Sequence, residues 1–138
     1  MYRSPLMSPR GIPCNPPPWG TLSAIRVSDG SIAWEKPVGT LTLPGRSISG
    51  MLGFGGPLAT RSGVVFIAGA FSDDRIHAFD SSSGAVLWQH ALPAGGQATP
   101  MTYVGRDGRQ YVVIAAGGHG KARSTRGDSI VAFALPLK

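Results

Sequence analysis

An all-β fold assembled from repeated small sheets is what this sequence predicts, and three observations carry the prediction. Ala24, Ala78 and Ala132 recur at a spacing of 54 residues. The first two are followed at matching offsets by glycine and tryptophan, Gly30 and Trp34 in one copy and Gly84 and Trp88 in the next. The chain is also rich in turn residues, with 20 Gly and 12 Pro, while its apolar residues (42%) gather in short runs heavy in Val and Ile. A period of about 40 to 55 residues filled with strand signals is that of propeller blades or a similar array. Each unit is one small sheet that cannot bury both faces alone, so neighbours in the ring complete its core. This chain holds about two and a half units, too few to close a ring.

The elements follow in order. Residues 1–19 are Pro-rich, with Pro13, Pro16, Pro17 and Pro18 around Cys14, and read as an extended or irregular segment. Residues 20–138 read as the blades. T-L-S-A-I-R-V from Thr21 is a strand, S-D-G a turn, and S-I-A-W-E-K-P-V the return strand of a hairpin. The stretch from Gly39 to Gly56 contains Pro44 and several further glycines, and reads as a long irregular connection. Strand signals resume at V-V-F-I-A and R-I-H-A-F, followed by the S-S-S-G turn and A-V-L-W-Q-H. A strand is expected from Thr99 to Val104, then the turn R-D-G-R and Y-V-V-I-A-A, the strongest strand by β-branched content. G-G-H-G and a basic loop lead to the last strand, S-I-V-A-F-A-L. No stretch has helical periodicity.

Charge and cysteine content narrow the function classes. The net charge of +6 raises the question of nucleic acid, but the basic residues are scattered apart from Lys121, Arg123 and Arg126. No aromatic-basic platform accompanies that loop, so nucleic-acid binding is not expected. Cys14 is the single cysteine, which removes any disulfide within the chain and any cysteine-based metal site. No run reaches the roughly 18 apolar residues of a membrane span, and the start lacks the apolar core of a signal peptide. Nucleophile-elbow, phosphate-loop and zinc spacings are missing, which leaves hydrolase and nucleotide-driven chemistry without support.

The motif A-F-D-S-S-S-G-A-V-L-W resembles the tryptophan-docking signature of pyrroloquinoline quinone (PQQ) dehydrogenases, eight-bladed propellers in which Ala, Asp, Gly and Trp recur from blade to blade. Small Ala permits close contact, Gly makes the turn, and the indole lies flat on the next blade while its N–H finds an acceptor. The first copy has Arg26 where the motif has Asp or Asn, which predicts a weaker turn within the same fold. The strings P-C-N-P-P-P-W-G, G-G-P-L-A-T-R-S-G-V-V-F-I-A, L-P-A-G-G-Q-A-T-P-M-T-Y, G-R-Q-Y-V-V-I-A-A-G-G-H-G and G-D-S-I-V-A-F-A-L-P resemble, in order, the C-terminal region of membrane-bound quinoprotein glucose dehydrogenases. The connection from Val38 to Phe54 is shorter than its usual counterpart there.

The resemblance implies a fragment of an enzyme that oxidises glucose or a related aldose to the lactone. Its reducing equivalents pass to PQQ and on to ubiquinone at the periplasmic face of the bacterial inner membrane, and Ca²⁺ or Mg²⁺ helps hold the cofactor. The catalytic base is expected upstream of this chain, and the segment alone is expected to be inactive without the remaining blades.

By the same resemblance His119, in G-G-H-G, lies near sugar and cofactor; its alternative is an exposed loop histidine. Phe54 stands where related quinoproteins carry a tryptophan beneath the PQQ ring, and either stacks on cofactor or belongs to the core. Gly118 is a close-approach position beside His119. Asp73 and Asp74 read as solvated turn residues, Asp73 being also a supporting group behind the site. His77 and His90 lack a partner at ligand spacing and read as structural. The basic loop either attracts the PQQ carboxylates or is simply solvated, the reading we favour. The rival for the whole chain is a propeller-type binding or assembly module that shares the repeat. The strings Q-A-T-P-M-T-Y and A-A-G-G-H-G, which no blade needs, favour the dehydrogenase.

Overall fold

The computed structural model describes residues 6–71, 73–120 and 124–136. Every named element among them is a strand: β1 (Thr21–Ile25), β2 (Ile32–Pro37), β3 (Thr40–Leu43), β4 (Arg46–Ser49), β5 (Leu58–Ala59), β6 (Val64–Ala68), β7 (Arg75–Asp80), β8 (Val86–Ala91), β9 (Met101–Val104), β10 (Gln110–Ala116) and β11 (Ser129–Ala134). β5-β6-β7-β8 form a four-stranded antiparallel sheet, one whole blade. β1-β2 and β9-β10-β11 form partial sheets on either side in sequence.

The repeat explains these numbers. Ala24 pairs with Trp34 across β1-β2, and Ala78 pairs with Trp88 across β7-β8. The register shifts immediately after each alanine, so both hairpins carry a bulge at the same place. β1 and β2 are therefore the last two strands of one unit, while β9 to β11 are the first three of another, with Ala132 on its third strand. The chain is all-β and a partial propeller.

Alternate residues of the central blade feed two cores, because side chains along a strand point to opposite faces. Ala68, Ile76, Leu92, Ala94, Val112, Ile114 and Ala116 form one buried cluster with Phe66 packed against it, which joins the central blade to β10. Leu22, Val38, Ile67 and Phe79 form the other, with Trp34 and Val65 against it, joining the same blade to β1-β2. The outward faces of the two flanking sheets expose Ile25 and Ile32 at one end and Met101 and Ile130 at the other.

The Gly39–Gly56 connection differs from its sequence reading. It contains a hairpin in which Leu41 pairs with Ile48 and Leu43 with Arg46. Pro44 and Gly45 make its two-residue turn, with Gly45 at a φ of 71°. The alternation T-L-T-L was legible, but the glycine count masked it.

Candidate functional site

Three segments converge on one loop cluster. Residues 52–54 run antiparallel to 69–71: Phe71 N–H donates to Leu52 O at 2.7 Å, Phe54 N–H donates to Gly69 O at 3.1 Å, and Gly53 bridges Ala70. The approach is so close that a Cβ on Gly55 would stand 1.9 Å from Ala68 O. The glycines around Phe54 thus serve backbone contact, and they fix the phenyl ring at the rim of β6. The third segment leaves β10 through Gly117 and Gly118 to His119.

The Phe54 ring meets His119 edge-on, with centroids 5.2 Å apart, and Phe71 likewise at 4.8 Å. Two residues distant in sequence, singled out separately there, are thereby neighbours in space. Phe54 is 55% exposed. His119 is exposed as well, its main-chain N–H donating to Ser124 Oγ at 2.9 Å. Phe71 completes the aromatic group and was missed in the sequence because nothing in A-F-S-D-D marks a ring-facing position.

Gly118 has a φ of 70°, and a Cβ there would lie 2.2 Å from Thr125 O. Its missing side chain is already required by the crossing of the two arms of its own loop. Lys121 and Arg123 lie outside the described residues, and Arg126 is exposed.

The acidic pair departs from its sequence reading. Asp73 is 8% exposed rather than solvated, and its Oδ2 accepts from Thr40 N–H at 3.1 Å. His77, read as partnerless, has Nε2 at 3.4 Å from Asp73 Oδ2, within ion-pair range but without hydrogen-bond geometry. Burial of the β6-β7 connection under the β3-β4 hairpin brings them together, which spacing alone does not show. His90 stacks on Trp88 at 5.8 Å and meets Phe133 edge-on at 5.2 Å. No group of three or more His, Cys, Asp or Glu among the described residues is placed to hold a metal ion.

The fold and its loop cluster define a class: a segment of a tryptophan-docked propeller that presents an aromatic ring and an imidazole side by side. The family model of the PQQ glucose/ethanol/alcohol dehydrogenase β-propeller domain matches residues 1–112. The chain belongs to that family. It is 46% identical over 141 residues to the quinoprotein glucose dehydrogenase of Escherichia coli, covering 96% of this chain and 18% of that protein. It is 48% identical over 139 residues to a probable quinate dehydrogenase (quinone) of Xanthomonas campestris pv. juglandis, covering 94% of this chain and 17% of that protein. Among solved structures it superposes on quinohemoprotein alcohol dehydrogenase from Comamonas testosteroni with a TM-score of 0.59 and 25% identity, over 83% of this chain and 16% of that one. The chain thus spans under a fifth of the length of these relatives.

Proposed function

We propose that this chain is the C-terminal part of a PQQ-dependent dehydrogenase that oxidises glucose or a related aldose to the lactone and passes electrons to ubiquinone. The observation that carries the reading is the Phe54–His119 pair, an exposed aromatic ring beside an exposed imidazole on loops that no sheet needs. These residues fit the cofactor as one wall of its site, because an exposed phenyl ring can lie against a flat heterocycle and a neutral imidazole can both donate and accept. PQQ, when bound, supplies the two-electron chemistry that the side chains lack.

The residues of this chain do the holding. Phe54 supports the ring, Phe71 braces Phe54, and His119 offers a hydrogen bond to a sugar hydroxyl or a cofactor oxygen. Gly118 contributes through its backbone conformation, which presents His119. The proton-accepting base and the ligands of a Ca²⁺ or Mg²⁺ ion belong, in this reading, to the other blades. The reading places the enzyme at the periplasmic face of the inner membrane; no helix among the described residues is long and apolar enough to cross a membrane. The quinate relative shares nearly the whole chain with this one, so the choice of aldose over another polyol is the finer part of the reading.

The test is made in the full-length enzyme carrying this sequence. Phe54→Ala is expected to weaken PQQ binding by about tenfold or more in titrations of the apoprotein, the size of a lost stacking contact. His119→Ala is expected to change the ratio of kcat/KM between sugars with little change in thermal unfolding. Wild-type PQQ affinity in the first together with an unchanged sugar ratio in the second sinks the assignment of this site.

A further inference from the structure

His119 is displayed by a loop whose arms are tied to residues 95–97. Gly118 N–H donates to Gly95 O at 2.8 Å, and Gly95 N–H donates to Thr125 O at 2.9 Å. At His119 itself the main-chain N–H donates to Ser124 Oγ at 2.9 Å, and Ser124 Oγ lies 3.2 Å from Gln97 Oε1. The two side chains meet directly over Gly95, where a Cβ would be 2.5 Å from Gln97 Oε1 and 2.6 Å from Ser124 Oγ. Gly95 is open so that they can meet.

The other end of the Gln97 amide, Nε2, is buried with no hydrogen-bond partner among the described residues. A buried amide with an idle end is a poor filler compared with an apolar side chain of similar size. Its remaining use is the bond to Ser124, and that bond survives either orientation of the amide, because a hydroxyl both donates and accepts. Gln97 also opens the string Q-A-T-P-M-T-Y ahead of β9, where no sheet pairing calls for it.

We propose that Gln97 is a positioning residue: acting through the Ser124 hydroxyl, it fixes the His119 main chain and hence where the imidazole stands against the sugar. The proposal rests on the reading of His119 as a substrate-facing group. Gln97 touches no ligand in this scheme. Gln97→Glu keeps an oxygen acceptor for Ser124, whereas Gln97→Leu removes it at similar volume.

The experiment uses the full-length enzyme with two readouts. The first is amide hydrogen exchange, without cofactor or sugar, of the peptide that contains His119. Gln97→Leu is expected to exchange about three- to tenfold faster there, the weight of one lost hydrogen bond, and Gln97→Glu to stay near wild type. Unchanged exchange in Gln97→Leu, or equal acceleration in both variants, overturns the relay. The second readout is a double-mutant cycle on the ratio of kcat/KM between two sugars. Gln97→Leu is expected to move the ratio in the direction of His119→Ala and to add nothing on that background; additive effects overturn the positioning role. If exchange responds but His119→Ala leaves the ratio unmoved, the relay stands and the substrate-facing reading of His119 falls.

Discussion

Trp34 and Trp88 hold the same place in successive copies of one repeat, yet among the described residues only the first is docked on a turn. The Trp34 indole lies on the turn of the next blade, so close that a Cβ on Gly84 would be 2.7 Å from its Cε3, and its Nε1–H donates to Ser81 O at 2.9 Å. Trp88 is 37% exposed and rests edge-on against Phe133, its centroid 5.0 Å away. The residue one repeat beyond Ser81 is Leu135, whose carbonyl accepts instead from the Arg109 guanidinium. The residue one repeat beyond Gly84 is Lys138, outside the described residues. A docking motif is thus half a site, and the next blade's turn supplies the other half.

The largest effect is expected from filling that second half. Gly84→Val places methyl groups where the Trp34 ring lies and forces a β-branched residue to a φ of 67°, so a loss of about 3 kcal/mol is expected in urea unfolding of the full-length protein. A loss under about 1 kcal/mol would mean that the indole moves aside freely, and that docking contributes little. A smaller effect separates the two tryptophans directly. Trp34→Phe deletes a made hydrogen bond and should cost about 1 kcal/mol beyond Trp88→Phe. Equal costs would show that Trp88 finds its acceptor elsewhere in the whole protein.

The two turns beneath the motifs give the finest contrast. In the second copy Asp80 Oδ1 accepts from the N–H and hydroxyl of both Ser82 and Ser83, at 2.6 to 3.0 Å. Hydrogen bonding to these serines lowers its pKa from 3.8 to about 2. In the first copy Arg26 offers no carboxylate, and Asp29, bonded by the N–H and hydroxyl of Ser31, takes over part of the role. The Asp29 pKa is lowered by the same kind of contact. The turn expected to be weaker thus keeps the same geometry, with Gly30 at a φ of 73°.

A depressed folded-state pKa means that the stabilising contribution of Asp80 is full above 3.8 and lost as pH falls towards 2. Asp80→Asn is therefore expected to flatten the fall of the urea midpoint across that window, and Asp29→Asn to flatten it less. The same slope in wild type and Asp80→Asn would separate the carboxylate from acid sensitivity.

How much of this was legible depends on whether the signal was local. The β7-β8 hairpin was readable because Ala78, Gly84 and Trp88 each answer a demand of their own turn and strand. The β3-β4 hairpin was lost among glycines that serve other purposes: Gly39 and Gly53 are bare because the Cβ of Ala70 and the carbonyl of Gly69 press on them. His119 and Phe54 were legible as candidates but not as a pair, and Phe71 carried no sign at all.

By itself the sequence determined the repeat, the strand alternation, the glycines at positive φ and the family to which the chain belongs, since all of these are written in spacing or in strings of neighbouring residues. Only the tertiary structure decided that Asp73 is buried against Thr40, that His77 faces it, that Phe54 and His119 touch, and that Gln97 reaches His119 through Ser124. Apart from Asp73 and His77, which lie four residues apart, those relations join residues on different strands and loops. Their distances follow from how sheets stack and loops cross, and no local preference of the chain encodes that.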